Sequence, residues 1–135
     1  MIKEFNNLEE IKKYYDKETN TYIFKEDGEY IDLVVFNFDL DVEANIDAKT
    51  INAFDIKACN IKACNIDACD IKAMNIEAWD INAWNIEAQD ISYYAVCFAY
   101  NNIKCKSIKG RRNNSKHFVL DGNLEVENDK WWIFS

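Results

Sequence analysis

The sequence predicts a mainly β fold in which most of the chain winds as a parallel β-solenoid. Two repeated residues carry this prediction. Isoleucine recurs every five residues from Ile46 to Ile91, and alanine follows each isoleucine by two residues from Ala48 to Ala88. Proline is absent and glycine occurs only three times among 135 residues, so other residues must make the turns. A chain of this length can form one domain with its own core.

A five-residue period is incompatible with a helix and with a flat strand. Five residues rotate a helix by about 500°, so successive isoleucines would leave any single face. An odd period also alternates between the two faces of a strand. A chain that turns a corner after every five residues keeps both isoleucine and alanine inside. Asn or Asp precedes nearly every isoleucine, Thr50 being the exception, and these side chains are expected to form the turn hydrogen bonds in place of glycine.

The segment CNIKACNIDACDIKA at residues 59–73 resembles the tandem A-(D/N)-L-x-x pattern of the pentapeptide-repeat family. The resemblance covers residues 45–100 and implies a right-handed quadrilateral parallel β-helix with about 20 residues per coil. Direct alignment with the family pattern places Cys59, Cys64 and Cys69 inside. The isoleucine and alanine columns are constant in size, as a close-packed interior requires, so we expect those to point inward. The column of cysteines and tryptophans is then outside or at the corners.

The flanking segments are expected to close the two ends of the solenoid within one compact domain. The N-terminal part should contain a short helix, with Asn7 and Glu10 at capping-box spacing. A hairpin that turns at Asp27-Gly28 and a half-buried strand from Phe36 to Ala44 follow. The predicted parts are a cap over residues 1–44, the solenoid over 45–110, and a basic loop with a C-terminal hairpin and tail over 111–135.

The C-terminal part is expected to cover the last coil. HFVLDGNLEVE indicates a hairpin that turns at Asp121-Gly122, and the apolar tail KWWIFS must dock on the open end or on another copy of the chain. After Val96 the five-residue spacing slips by two residues, which predicts a bulge or bend.

A coil of about 20 residues places side chains 20 apart on neighbouring rungs, about 4.8 Å from each other. Asp47, Asp67 and Glu87 would then form one acidic face, with Asp70 and Asp90 at its corner. Stacked like charges do not help folding. The face is therefore either a solubilising surface or a ladder of negative charge that suits a basic partner.

Exposed tryptophans form a second candidate surface. Trp79 and Trp84 belong to the outer column, beside other apolar residues, and apolar bands of this kind are typical of interfaces. The alternative is that the terminal segments cover them. The predicted interface aromatics are Trp79, Trp84, Trp131 and Trp132.

A third candidate is the basic segment over residues 104–116. Charge is uneven along the chain, with 12 acids and 5 bases in residues 1–44 but 4 acids and 7 bases in residues 103–135. The segment is a candidate phosphate-binding patch or, alternatively, an exposed loop that pairs with the acidic N-terminal region. Its basic residues are Lys104, Lys106, Lys109, Arg111, Arg112 and Lys116.

No motif for catalysis was found, and the sequence predicts a protein that is not an enzyme. P-loop, GxGxxG, GxSxG and HExxH motifs do not occur. Five cysteines without a CxxC pair and a single histidine, His117, do not form a zinc motif, so neither a metal nor a cofactor is expected. No apolar run reaches the roughly 18 residues of a membrane span, and the N-terminus has no signal-peptide pattern. We therefore expect a cytoplasmic protein of a bacterial host, without a membrane partner.

These patterns favour a non-enzymatic acidic binding protein with a protein partner. Some pentapeptide-repeat proteins imitate duplex DNA, so the resemblance implies a basic, DNA-handling target. DISYYAVCFAYNNIKCKSIKGRR also resembles small phage and prophage proteins of low-GC Gram-positive bacteria, which implies a phage-encoded inhibitor directed at CRISPR, restriction or gyrase enzymes. The alternatives are a self-associating structural module that forms a homodimer, and direct nucleic-acid binding through residues 104–116.

Overall fold

The computed structural model describes residues 2–127, which form a parallel β-solenoid with a small N-terminal cap. The mainly β fold predicted from the five-residue repeat is confirmed. Within the described residues, no helix has the length and apolar character that crossing a membrane requires. In chain order the strands are β1 Ile2–Phe5, β2 Tyr15–Asp16, β3 Thr21–Ile23, β4 Lys25–Glu26, β5 Glu29–Tyr30, β6 Asp32–Val35, β7 Leu40–Asp41, β8 Asn45–Asp47, β9 Thr50–Ala53, β10 Asp55–Lys57, β11 Asn60–Lys62, β12 Asn65–Asp67, β13 Asp70–Lys72, β14 Asn75–Glu87, β15 Asp90–Cys105, β16 Ser107–Gly110, β17 Lys116–Val119 and β18 Asn123–Val126.

Each regular coil has three sides, not four. The strand register pairs Ile61 with Ile46 and with Ile76, and Ile66 with Ile81, so residues 15 apart are vertical neighbours. The quadrilateral coil of about 20 residues is therefore wrong. Each side contributes one isoleucine and one alanine to the interior, and three such pairs fill a narrow triangular section.

The three faces of the solenoid are named here by their inward columns. Face A carries Ile46, Ile61, Ile76, Ile91 and Ile108. Face B carries Leu33, Ile51, Ile66, Ile81, Cys97 and His117. Face C carries Leu40, Ile56, Ile71, Ile86, Ile103 and Leu124.

The interior contains the isoleucine and alanine columns, whose constant size in every repeat predicted that they are buried. The repeat isoleucines are 1–2% exposed, and the alanines are buried apart from Ala73, which is partly buried. The column of Cys59, Cys64, Cys69, Trp79 and Trp84 lies at the corners, as expected. Each corner is closed by a backbone bond to the rung below, for example from Trp79 N to Cys64 O at 2.8 Å and from Trp84 N to Cys69 O at 2.8 Å.

The Asn and Asp side chains do not act as local turn formers. They form ladders along the solenoid axis instead, because residues 15 apart are neighbours. Asn60 Nδ2 donates to Asn45 Oδ1 at 2.9 Å, and Asn85 Nδ2 donates to Asp70 Oδ1 at 2.8 Å. Among the described non-glycine residues, positive φ occurs only at Asn20 and Asp27, both outside the repeat. The corners therefore need neither glycine nor a left-handed backbone.

The coil that follows Gln89 is wider by two residues. Ala78 pairs with Tyr93, but Asp80 pairs with Val96, and one further residue enters before Asn102. The phase slip seen in the sequence is thus two single insertions at consecutive corners, which leave Val96 outside and put Cys97 inside.

Tyr93 occupies an alanine position in this wider coil and is 1% exposed. Its hydroxyl lies 2.6 Å from His117 Nδ1, one rung above. Gly110 continues the same column, and a Cβ there would lie 2.9 Å from the Tyr93 hydroxyl and 2.2 Å from Ser115 Cβ. Glycine is required at position 110 because Ser115, together with the Tyr93 hydroxyl, fills the space of its side chain.

The N-terminal cap agrees with the sequence in part. A 3-10 helix spans Leu8–Tyr14, with Glu10 N donating to Asn7 Oδ1 at 3.2 Å, and β4 and β5 form the hairpin at Asp27-Gly28, both with positive φ. The continuous strand predicted from Phe36 to Ala44 is wrong, since only Leu40–Asp41 is extended there. Face C begins at this point, so the chain turns a corner where alternation suggested a strand.

The predicted hairpin at Asp121-Gly122 does not form. Strands β17 and β18 each pair in parallel with β15 and extend faces B and C by one rung. The two alternating segments are sides of a coil, and Asp121 lies at the corner between them. The tail that includes Trp131 and Trp132 lies outside the described residues.

Glu26 ties the hairpin of the cap to β1 and to the 3-10 helix. Its Oε1 lies 2.8 Å from Lys3 Nζ and accepts a hydrogen bond from the Tyr14 hydroxyl. The Lys3 ammonium, with help from Tyr14, lowers the pKa of Glu26 to about 2. The ionised carboxylate therefore favours the folded state.

The cap is expected to lose stability in acid. The contribution of Glu26 is fully present above its ordinary pKa near 4.5 and is lost as the pH falls through about 2. Thermal melts from neutral to acidic pH should show that wild type loses more stability over this range than Glu26→Gln. The exposed Glu18→Gln variant is the matched control and should follow wild type. Parallel curves for Glu26→Gln and wild type would contradict the assigned ion pair.

Candidate functional site

The structure separates the predicted acidic face. Asp47 lies on face A, Asp67 on face B and Glu87 on face C, because 20 residues equal one coil plus one side. Asp70 is on face C and Asp90 on face A. The proposed ladder of these five carboxylates is wrong, and the error follows directly from the assumed number of sides.

The true neighbours of these residues are mostly not acidic. Asp47 stacks on Lys62 and accepts a hydrogen bond from the Tyr30 hydroxyl at 2.8 Å, while Asp67 lies between Asn52 and Asn82. Asp90 accepts from the Ser107 hydroxyl at 2.5 Å, and Glu87 stacks between Lys72 and Lys104. These carboxylates are largely matched by neighbouring donors or cations.

A different acidic column lies at the N-terminal end of face C. Asp55 pairs with Asp70 on the next rung, and Asp39 precedes Leu40 at the rung below. Burial, followed by the charges of Asp70 and Asp39, raises the pKa of Asp55. The ionised form of Asp55 therefore opposes folding. Lys57 and Lys72 form the adjacent column on the same face.

Replacing Asp55 with asparagine is expected to stabilise the protein by about 0.5 kcal/mol at neutral pH, since it removes the like-charge contact. Because the pKa of Asp55 is raised, wild type loses stability as the pH rises through that pKa. Below it, position 55 is uncharged in both chains, so the stability gained by Asp55→Asn should vanish in acid. Asp67→Asn, between two asparagines, is the control and should be neutral. Urea melts at neutral and acidic pH measure both variants; a destabilised Asp55→Asn would show that the carboxylate is needed for folding.

The structure disperses the predicted basic segment around the solenoid. Lys104 is on face C, Lys109 on face A and Lys116 on face B, with Lys106 at the corner between faces C and A. Arg111 and Arg112 lie together at the corner between faces A and B, where both guanidinium groups are near the Tyr94 ring. Arg111 Nη1 lies 3.4 Å from Glu77 Oε1, and the Arg112 guanidinium lies 5.3 Å from the centre of the Tyr94 ring.

A cluster of exposed apolar side chains lies at the C-terminal end of face B. Trp79 and Trp84 stand at the two corners that border this face and are 57% and 53% exposed. Each tryptophan contacts a tyrosine of the next coil, with ring centres 5.8 Å apart for Trp79 and Tyr94 and 5.0 Å apart for Trp84 and Tyr100. Between the corners, the ring centres of Phe98 and Phe118 lie 4.9 Å apart. The aromatic strip consists of Trp79, Trp84, Tyr94, Val96, Phe98, Tyr100, Phe118 and Leu120.

The sequence identified only the two tryptophans of this strip. Tyr94 could have been found from a spacing of 15, since it follows Trp79 by that interval, whereas Tyr100 follows Trp84 by 16 and Phe118 follows Phe98 by 20. A 20-residue coil hid the two tyrosines, because it aligned Trp79 with Ala99 and Trp84 with Lys104. Trp131 and Trp132 lie outside the described residues.

A cysteine and a histidine do become neighbours, but not as a nucleophilic pair. Cys97 and His117 are register partners inside face B. Burial, with a smaller effect from Cys105, raises the pKa of the Cys97 thiol to about 12, so the thiolate is not available near neutral pH. His117 Nδ1 is in contact with the Tyr93 hydroxyl instead. Cys97 and His117 therefore contribute to the packing inside the wider coil and the rung above it.

Residues 2–127 contain no group of three or more His, Cys, Asp or Glu side chains arranged to hold a metal ion. The three corner cysteines Cys59, Cys64 and Cys69 follow each other at five-residue intervals and so stand at three different corners of the tube. The aromatic strip is therefore the candidate functional site within the described residues. Comparisons with protein-family models, with curated proteins and with solved structures found no match to this chain.

Proposed function

We propose that this protein is a non-enzymatic binding protein of the bacterial cytoplasm and that the aromatic strip is its contact surface for another protein. The main observation behind this proposal is that two half-exposed tryptophans, two tyrosines and two phenylalanines cluster on three consecutive rungs of one face. Trp and Tyr are enriched at protein interfaces, where they contribute a large share of binding energy.

The rigidity of the scaffold supports this proposal. The strip lies on parallel strands whose inward residues Ile81, Cys97 and Ala99 are almost fully buried beneath it, so its side chains are presented on a fixed surface. Binding therefore orders few additional groups, which lowers the entropic cost of association.

The proposal is tested with the double variant Trp79→Ser/Trp84→Ser and the control Met74→Ser. Met74 is 49% exposed at the corner opposite face B, so it matches the tryptophans in exposure but not in position. Proteins retained from bacterial extract on the immobilised chain, including the chain itself, should be lost with the double variant and kept with Met74→Ser. Retention of the same proteins by the double variant would contradict the proposal.

A second candidate is a phage-encoded inhibitor that imitates DNA and acts on a host CRISPR, restriction or gyrase enzyme. It is favoured by the column of Asp39, Asp55 and Asp70, which places three carboxylates on consecutive rungs of face C. Lys57 and Lys72 on the same face offset that charge, which places this candidate second. It predicts that Asp55→Asn/Asp70→Asn abolishes inhibition of such an enzyme while Trp79→Ser/Trp84→Ser does not. Equal inhibition by wild type and the aspartate variant would exclude it.

A further inference from the structure

We infer that the partner of the aromatic strip is a second copy of this chain, bound face B to face B with the two solenoid axes antiparallel. This inference depends on the proposed function of the strip. It follows from the order of charges and rings along the solenoid axis. When the axis is reversed, each of these groups comes opposite a group of the second copy that it can bind.

The charges show this most directly. Asp80, Val96 and Lys116 occupy one column of face B on three consecutive rungs. A two-fold axis parallel to the strands at the level of Val96 brings Asp80 opposite Lys116 of the second copy, and Lys116 opposite Asp80. Both side chains are exposed, and neither forms an ion pair within residues 2–127. A dimer with two-fold symmetry requires such self-complementary contacts.

The corner columns follow the same order. At the corner between faces A and B, Trp79 lies below Tyr94 and Arg112 lies above it, so the axis brings Trp79 opposite Arg112 of the second copy. Arg112 already lies over one aromatic ring and suits a cation–π contact with another. At the other corner, the 62% exposed Leu120 comes opposite Trp84.

A parallel arrangement lacks this match. An axis along the solenoid would bring each rung opposite the same rung of the second copy, so that Lys116 would face the neighbourhood of Lys116, and Asp80 that of Asp80. A single-stranded nucleic acid is also disfavoured by the strip, since Trp79 and Trp84 each have a ring of the next coil against them and Asp80 adds negative charge.

The inference is tested by charge reversal in the full chain, with self-association measured by sedimentation equilibrium over a wide concentration range. Wild type should form dimers and no larger species. Lys116→Asp and Asp80→Lys should each raise the dimer dissociation constant at least about tenfold. Each substitution places like charges opposite one another at both of the symmetry-related contacts between positions 80 and 116. An equimolar mixture of the two variants should recover dimers, since every Asp then faces a Lys. Thermal melts confirm that both variants fold, which matters because Asp80 Oδ1 accepts from Val96 N at 3.1 Å.

The outcomes separate this inference from the proposed function. Dimers that are lost with Trp79→Ser/Trp84→Ser but are insensitive to both charge reversals would keep the strip as the contact surface and overturn the antiparallel arrangement. A wild-type chain that stays monomeric at all concentrations, with extract proteins still retained through the strip, would overturn the second copy as partner. Binding of a single-stranded oligonucleotide that requires Trp79 and Trp84 would also overturn it. Failure of the mixed variants to associate would exclude the two-fold axis at Val96.

Discussion

Ile81→Ala is expected to lower the free energy of unfolding by about 2–5 kcal/mol. Ile81 is 1% exposed and lies between Ile66 and Cys97 inside face B. Removing its outer carbons leaves a cavity that neighbouring rungs cannot close, because their positions are fixed by hydrogen bonds on both sides. Urea unfolding of wild type and the variant measures the difference, provided that the slope with urea is unchanged.

The matched control for Ile81→Ala is Asn82→Ala on the same strand. Asn82 is exposed and points away from the interior, so this change should stay within about 0.5 kcal/mol of wild type. A cost for Asn82→Ala equal to that of Ile81→Ala would mean that the inward and outward columns have been exchanged.

Tyr93→Ala is expected to be at least as damaging, with a loss of about 3–5 kcal/mol. Tyr93 is the largest of the most deeply buried side chains and fills the coil that the two insertions widen. The variant would also leave His117 without the hydroxyl that lies 2.6 Å from its Nδ1. Thermal and urea unfolding should both record the loss.

Two further variants divide the effect of Tyr93 into its parts. Tyr93→Phe keeps the ring and removes only the contact with His117, and it should cost about 1 kcal/mol. Tyr94→Ala, at the adjacent 42% exposed residue, serves as the positional control and should cost much less than Tyr93→Ala. If Tyr93→Ala and Tyr94→Ala were equally tolerated, the wider coil would not depend on a buried ring.

The interior of the solenoid could be predicted from the sequence because it depends on a local rule. Every side repeats Ile and Ala at the same positions, and constancy of size indicates burial even where the neighbouring coil is unknown. The cap of the 3-10 helix at Asn7 and the turn at Asp27-Gly28 are also local, since each involves residues within a few positions in the chain.

The surface could not be predicted in the same way, because it depends on the number of sides in a coil. A repeat of five residues is the same for three sides and for four, so it leaves open whether Trp79 aligns with Tyr94 or with a residue five positions further on. The resemblance to four-sided solenoids led to the wrong alignment of Asp47, Asp67 and Glu87. The aromatic residues at the corners favour a spacing of 15 from Trp79, which then aligns with Tyr94, and of 16 from Trp84, which then aligns with Tyr100.

The hairpin predicted at Asp121-Gly122 failed for a related reason. A turn signal between two short alternating segments is the same whether the second strand pairs with the first or continues to the next side of a coil. Here β15 presents unpaired edges on faces B and C, and β17 and β18 each satisfy one of them in parallel. The topology was decided by pairing of β17 and β18 with the edge of β15, whose residues lie about 20 positions earlier in the chain.

The three-sided coil is tested most directly by nuclear Overhauser contacts between backbone protons of the uniformly labelled wild-type chain. We expect contacts between residues 15 apart across the regular coils, such as Ile46 with Ile61 and Ile66 with Ile81. The spacing should widen to 16 or 17 between β14 and β15 after Ala78, and to 20 or 21 where β17 and β18 pair with β15. A consistent set of contacts between residues 20 apart within residues 46–91 would contradict the triangular coil, and with it the aromatic strip and the antiparallel dimer.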